Sequence, residues 1–360
     1  MNRTTVALIA MTGLVATAVG WAAPALSAPS ARAVAHWSMV AQSKDTDGDG
    51  FIDGDGGVPR RNPLGRVPAA KFVGAGNHVA QPSERLINGN LSWYLRPGGF
   101  PVEVDACNST GDTYRVIVRS NGETVATTPW KRLKAKSCKQ DLLLAEGRYQ
   151  ASLEVKSGSR IHRDDFPLVV TNYLMVALGD SYASGEGNPR NVEAWLAGSG
   201  PFVPYWDNDA CHRSTRSASA QAALRLENES EQTSVTFVDV SCTGATINAG
   251  VLGAQTDAGQ ATSQIEQARA IVGDHPVDLV TLSIGGNDVG FTSLLGSCAI
   301  TANCPINKAR WSPLNRYPTV QDGVQALTGG LTSGYARIAQ CLGGAACTLA
   351  NRSSSPGLTM

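Results

Sequence analysis

The chain has 360 residues, with Lys+Arg and Asp+Glu balanced at 30 each and no long run of either sign. That balance excludes a nucleic-acid binder built on a basic face. Charged residues make up only 17% while glycines number 38, a composition that suits an exported, loop-rich protein of two modest domains.

The first residues carry the export signal. Arg3 is followed by an apolar core from Val6 to Ala23 and then by small residues. Residues 1–28 therefore read as a secretory signal peptide, cleaved after Ala28 or after Ala33. Gly13, Gly20 and Pro24 interrupt the run and argue against a membrane anchor, and no other stretch is apolar enough to span a bilayer. The mature chain is expected to be secreted and monomeric. Its eight cysteines contain no Cys-x-x-Cys and no zinc spacing, so disulfides are expected. Pairing within predicted structural units favours 107–138, 211–242, 298–304 and 341–347.

Residues 29–80 lack periodicity and read as a linker. Within it lies DTDGDGFID, in which Asp45, Asp47 and Asp49 precede Gly50 and Asp53 follows. Alternate carboxylates can converge on one Ca2+ while glycine permits the sharp turn. The segment resembles the short calcium loops of dockerins and thrombospondin type 3 repeats, except that Gly56 stands where the closing bidentate carboxylate belongs. A solvated acidic turn is the equal alternative.

Residues 81–171 change character. VEVDAC, YRVIVRS, ETVATT and YQASLEVKSG alternate with period two between turns such as Asn121-Gly122 and Ser157-Gly158. This pattern predicts a small β-sandwich, similar to the immunoglobulin-like or PKD-like modules of exported bacterial enzymes. From residue 172 to 360 the pattern becomes α/β. YLMVALG, SVTFVDV and VDLVTLSIGG are apolar runs of the kind buried on both faces, and helices are expected over 214–229 and 261–272. Alternation of this kind predicts a parallel sheet, whose ligands sit beyond the carboxyl ends of the strands.

Those three ends are Gly179-Asp180-Ser181, Ser241-Cys242-Thr243-Gly244-Ala245 and Gly285-Gly286-Asn287-Asp288. At one sheet edge they could build an acyl-transfer site. Ser181 would be the nucleophile, with the Ser181 and Gly244 backbone N–H groups and the Asn287 side-chain amide facing a developing oxyanion. Ala183 stands where the α/β-hydrolase elbow needs glycine, so that fold is not expected.

Over about residues 173–305 the chain resembles the GDSL/SGNH hydrolase family, in particular its secreted actinobacterial esterases and lipases. The resemblance rests on Gly-Asp-Ser-Tyr-x-x-Gly-Glu-Gly (179–187), Cys-His-Arg-Ser (211–214), Ser-Cys-Thr-Gly-Ala (241–245) and Ile-Gly-Gly-Asn-Asp (284–288). It implies a flavodoxin-like SGNH domain with Ser181, Gly244 and Asn287 as catalytic residues and no cofactor for catalysis. The substrate would be an ester-containing small molecule, a lipid or an acylated glycan. The family base is a histidine in a late Asp-x-x-His, and none follows Asn287 before Met360. The resemblance therefore implies a domain incomplete at its C-terminal side. Of the five histidines, His36 and His78 fall in the linker and His162 in the sandwich. His275 starts the third strand, roughly 25 Å or more from its far end at ~3.3 Å per residue. His212 is expected to line the substrate cleft rather than act as base. The competing reading is a non-catalytic exported protein that binds a glycan or lipid.

Overall fold

The computed structural model describes residues 31–39, 99–189, 203–204 and 206–343. The expected signal peptide, the acidic loop Asp45–Asp53 and His78 lie outside the described residues.

The first half consists of two sheets facing each other across one hydrophobic core. One sheet has the order β1 (His36–Met39), β2 (Phe100–Asp105), β6 (Lys139–Leu144), all antiparallel. The other joins β4 (Glu123–Thr127), β3 (Thr113–Ser120), β7 (Gly147–Ser157) and β8 (Arg160–Gly179) in that order, with β5 (Lys131–Arg132) on the start of β3. Alternate residues point inward, as a half-buried strand requires. Val102 and Val104 meet Tyr114, Val116, Val118, Leu153, Val155 and Leu168 in the shared core. Residues 36–39 fell in the stretch read as linker, yet they form a strand because Trp37 and Met39 bury themselves in this core. On the other side of β7, Glu154 is almost fully buried and accepts from Arg115 Nε and Arg163 Nε, both at 2.7 Å. The two cations lie on the flanking strands directly opposite it. A buried carboxylate paired in this way avoids the cost of an uncompensated charge.

β8 is the element that connects the two halves. It runs for 20 residues, ~66 Å at the usual rise. Its first part pairs antiparallel with β7 up to Val170. From Thr171 it pairs in parallel with β9 (Thr233–Asp239), and from Met175 also with β10 (Leu279–Ser283). The expected boundary at 171/172 thus falls inside one continuous strand. Asn172 marks the change: its amide N–H reaches Glu146 Oε1 at 2.8 Å, while its side-chain oxygen accepts from Ser234 and Thr236.

In the parallel half the order is β9-β8-β10. Successive β8 residues face opposite layers. Leu174, Val176 and Leu178 pack under Ile265, Ala268 and Val272 of α3 (Gln264–Val272) and Ile338 of α4 (Val320–Gly343). Met175 and Ala177 pack against Ala220 and Ala223 of α2 (Ala218–Glu229). Helices on both faces account for the unbroken apolar run YLMVALG. Ser217 caps α2 through its side chain, and Ser263 with Glu266 forms a capping box on α3. The fold is therefore α/β with mixed sheets, and no helix among the described residues is long and apolar enough to cross a membrane.

Three of the expected disulfides are present: Cys107–Cys138, Cys211–Cys242 and Cys298–Cys304. The fourth expected pair, Cys341–Cys347, has its second member outside the described residues.

Candidate active site

All three strands of the parallel half end at one edge, since Gly179 pairs with Ser283 and Ala177 with Asp239. At the end of β8 the chain turns at once into α1 (Ser181–Ser184), a single helical turn. Asp180 caps it: its carboxylate accepts from Tyr182 N at 3.0 Å, and its carbonyl accepts from Ser184 N. Ser181 is half-buried at the open N-terminal end of this turn, and Tyr182 beside it is exposed, edge-on to Phe291. Among the described residues nothing is hydrogen-bonded to Ser181 Oγ.

The turn is held from below by a buried glutamine. Gln264, at the start of α3, accepts from Gly179 N and donates to Gly179 O, both at 2.8 Å. The same carbonyl accepts from Cys242 N at 3.0 Å, and Asp180 N donates to Ser283 O at 2.9 Å. Three loops are thereby joined. The second and third are tied again: Asn287 Nδ2 donates to Ala245 O at 2.9 Å, and Ile247 N donates to the Asp288 carboxylate at 3.1 Å. Asn287 is fixed by one amide hydrogen. Gly244 is exposed, with φ +77, a conformation glycine adopts without strain. Burial pushes the Asp180 carboxyl up, against backbone N–H bonds from Tyr182 and Gly286, and the charge of Asp288 adds to the rise.

His212 sits at the rim in a loop joined to the second one by Cys211–Cys242. Its Nδ1 lies 2.6 Å from Glu186 Oε2, and its ring stacks on Trp206 at 4.8 Å. Thr243 Oγ1 donates to the same Glu186 oxygen at 2.8 Å. Glu186, part of the Gly-Glu-Gly stretch, thus links the loop that follows β8 to both neighbours. Asp209-Ala210-Cys211-His212 does spell Asp-x-x-His, but it precedes the second strand, and the carboxylate facing this imidazole belongs to Glu186. The other described histidines are elsewhere. His36 pairs with Glu231, His162 lies opposite Val155 in the sandwich part of β8, and His275 bonds Val272 O at the end of α3.

One group of potential metal ligands occurs among the described residues, Asp105 with Cys107 and Cys138. Its two sulfurs are bonded to each other and so offer no thiolates.

Beneath the second loop, Asp239 is fully buried beside Arg213, whose Nε donates to Ser241 O at 2.7 Å. Burial pushes the Asp239 carboxyl up to about 6, against the Arg213 charge and hydrogen bonds from Ser241. The native state then holds a proton between pH ~4 and 6 that the unfolded chain has released. Stability must fall as pH rises through that window, by about 3 kcal/mol at most, and level off above it. Urea unfolding of the wild type and of Asp239→Asn from pH 4 to 7.5 should show the variant losing less over this interval. Parallel slopes would remove Asp239 as the source.

No family model matches the chain, and no curated protein matches it. Among solved structures, a beta-D-glucuronidase of Dictyoglomus thermophilum is similar at 12% identity and a TM-score of 0.18, over 68% of this chain and 40% of that one. The chain thus spans about two fifths of that protein's length, and likeness at this level carries no argument for fold or function.

Proposed function

We propose that the α/β half of this chain is a serine ester hydrolase site of GDSL/SGNH type in an exported protein. The flavodoxin-like reading of the parallel half belongs to the same proposal and draws support from the strand order β9-β8-β10. Ser181 Oγ attacks the ester carbonyl, the alcohol leaves, and water then cleaves the acyl-serine to release the acid. The Ser181 and Gly244 N–H groups and the second amide hydrogen of Asn287 receive the oxyanion.

The observation that carries this reading is the joining of the three strand-end loops around Ser181, through Gly179 O and Asp180 N from the first and through Asn287 and Asp288 between the second and third. Export is supported by the three disulfides. The test is covalent. Incubated with an alkyl fluorophosphonate, the folded chain should acquire one adduct, located by mass spectrometry on Ser181 and absent after thermal unfolding. No adduct, or the same adduct on the unfolded chain, overturns the proposal.

The second reading, a non-catalytic exported glycan- or lipid-binding protein, is favoured by one observation. The only histidine on these loops, His212, is engaged with Glu186 rather than with Ser181. The acidic loop Asp45, Asp47, Asp49 and Asp53 remains a proposed weak Ca2+ site.

A further inference from the structure

We propose that Gln255 is a positioning residue that aims the Gly244 N–H into the oxyanion site, an inference that rests on the hydrolase reading above. A trans peptide is rigid, and its C=O and N–H point in opposite directions. The Gly244 N–H belongs to the peptide whose carbonyl is that of Thr243. Whatever holds the Thr243 carbonyl therefore sets the direction of the Gly244 donor.

Gln255 holds it. Its Nε2 donates to Thr243 O at 2.8 Å, from a side chain that is only 2% exposed. The backbone of Gln255 is fixed in turn by paired hydrogen bonds with Gln260, N to O in each direction. Thr243 is secured at two further points, its N–H on Cys211 O at 3.0 Å and its hydroxyl on Glu186. Gly244 meets nothing nearer than Gln255 Nε2, at 3.3 Å from where a Cβ would stand. The same logic fixes the other backbone donor, because the Asp180 carbonyl is engaged by Ser184 N and the Ser181 N–H must face away from it.

Gln255 also makes a sacrifice that a purely structural residue would avoid. Its Oε1 is buried with no hydrogen-bond partner among the described residues. A buried orphan acceptor is destabilising, because it has given up its hydrogen bonds to water. Flipping the amide would set oxygen against the Thr243 carbonyl, so the orphan is the consequence of directing Nε2 at that carbonyl. An apolar side chain of similar length would fill the space without this penalty and leave the peptide free to rotate. A group kept at such a cost calls for a functional account, and orientation of a transition-state donor supplies one.

The experiment compares Gln255→Met with the wild-type full chain, using butylboronic acid, which adds to a serine oxygen as a tetrahedral anion, and p-nitrophenyl acetate. Calorimetry should show wild-type binding that Ser181→Ala abolishes. Gln255→Met should bind the boronic acid at least ~10-fold more weakly and lower kcat by a similar factor, with KM within about twofold. Gln260→Ala, which removes only a side-chain bond to the Ala258 carbonyl, is the control for loop integrity and should match the wild type. Because Gln255→Met removes size and polarity together, Gln255→Glu is measured beside it. It keeps the length, cannot donate when ionised, and should show the same loss. Boronate affinity of Gln255→Met within twofold of the wild type overturns the inference alone, and so does an equal loss in Gln260→Ala. Absence of wild-type binding overturns the hydrolase reading and this inference with it.

Discussion

The full chain should cleave p-nitrophenyl acetate only at a trace rate, and Ser181→Ala should lower that rate further. Removing the general base from a serine hydrolase site costs about 10⁶ in turnover, whereas an intact oxyanion site alone retains ~10³ to 10⁴ over water. Ser181 stands at the open end of α1 with no described histidine bonded to its hydroxyl, so the second regime is the expected one. His212→Ala should barely change the rate, because its ring is committed to Glu186 on one edge and stacked on Trp206 on its face. The measurement is initial rate against enzyme concentration for the three proteins, corrected for buffer hydrolysis. Full esterase rates lost in His212→Ala would assign His212 as base with Glu186 as the carboxylate that orients it. A rate equal in wild type and Ser181→Ala would favour the binding protein.

That outcome bears on how a motif is read. Asp209-Ala-Cys-His212 has the spacing of a catalytic pair, yet the partner of the imidazole comes from 26 residues earlier. Spacing along a loop fixes neither the direction of a side chain nor its nearest charge. The strands of the parallel half were legible for the opposite reason. A run such as YLMVALG has one stable environment, buried between two helical layers, and Leu174 through Leu178 occupy it. The same strand was invisible over residues 160–170. RIHRDDFPLVV carries charges on its outer face, and its pairing with β7 depends on partners such as Glu154 that no local pattern announces. β1 was hidden in the same way, four residues that pair with β2 and whose Trp37 and Met39 are buried in a core assembled from distant strands.

Within the site, legibility followed the glycines. Gly179, Gly244 and Gly285 all have positive φ, and each marks a strand end that had been singled out. Sequence reasoning did not single out the polar side chains that fix these turns. Gln255 and Gln264 act on backbone atoms 12 and 85 residues away, one from a loop and the other from the first turn of α3. Such a glutamine has no signature until the fold brings a backbone group to it. Glu186 lay inside a quoted motif, yet its role appears only when Thr243 and His212 arrive beside it.

Gly179→Ala should abolish the folded parallel half, a large stability loss for the addition of a single methyl group. Gly179 has φ +138, and a Cβ there would stand 2.0 Å from the Ser283 carbonyl oxygen and 2.8 Å from Ala183 Cβ. Neither neighbour can yield cheaply. Ser283 O accepts from Asp180 N and belongs to β10, the strand paired with β8, while Ala183 lies in the turn that carries Ser181. Moving either opens the sheet edge or displaces Ser181, and Gln264 holds Gly179 from the remaining side. The comparison is Gly122→Ala, at the β3–β4 turn, where φ is also positive (+85) and no atom of the described residues lies within 4 Å. Gly122→Ala tests the backbone strain alone and should cost about 1 kcal/mol. Gly179→Ala adds the clash and should cost more than about 4 kcal/mol, seen as an unfolded or protease-sensitive chain. Urea unfolding of the two variants gives the difference directly. If their losses were equal, the close approach of β8 to Ser283 would not be what requires glycine before Asp180-Ser181, and strain at φ alone would account for it.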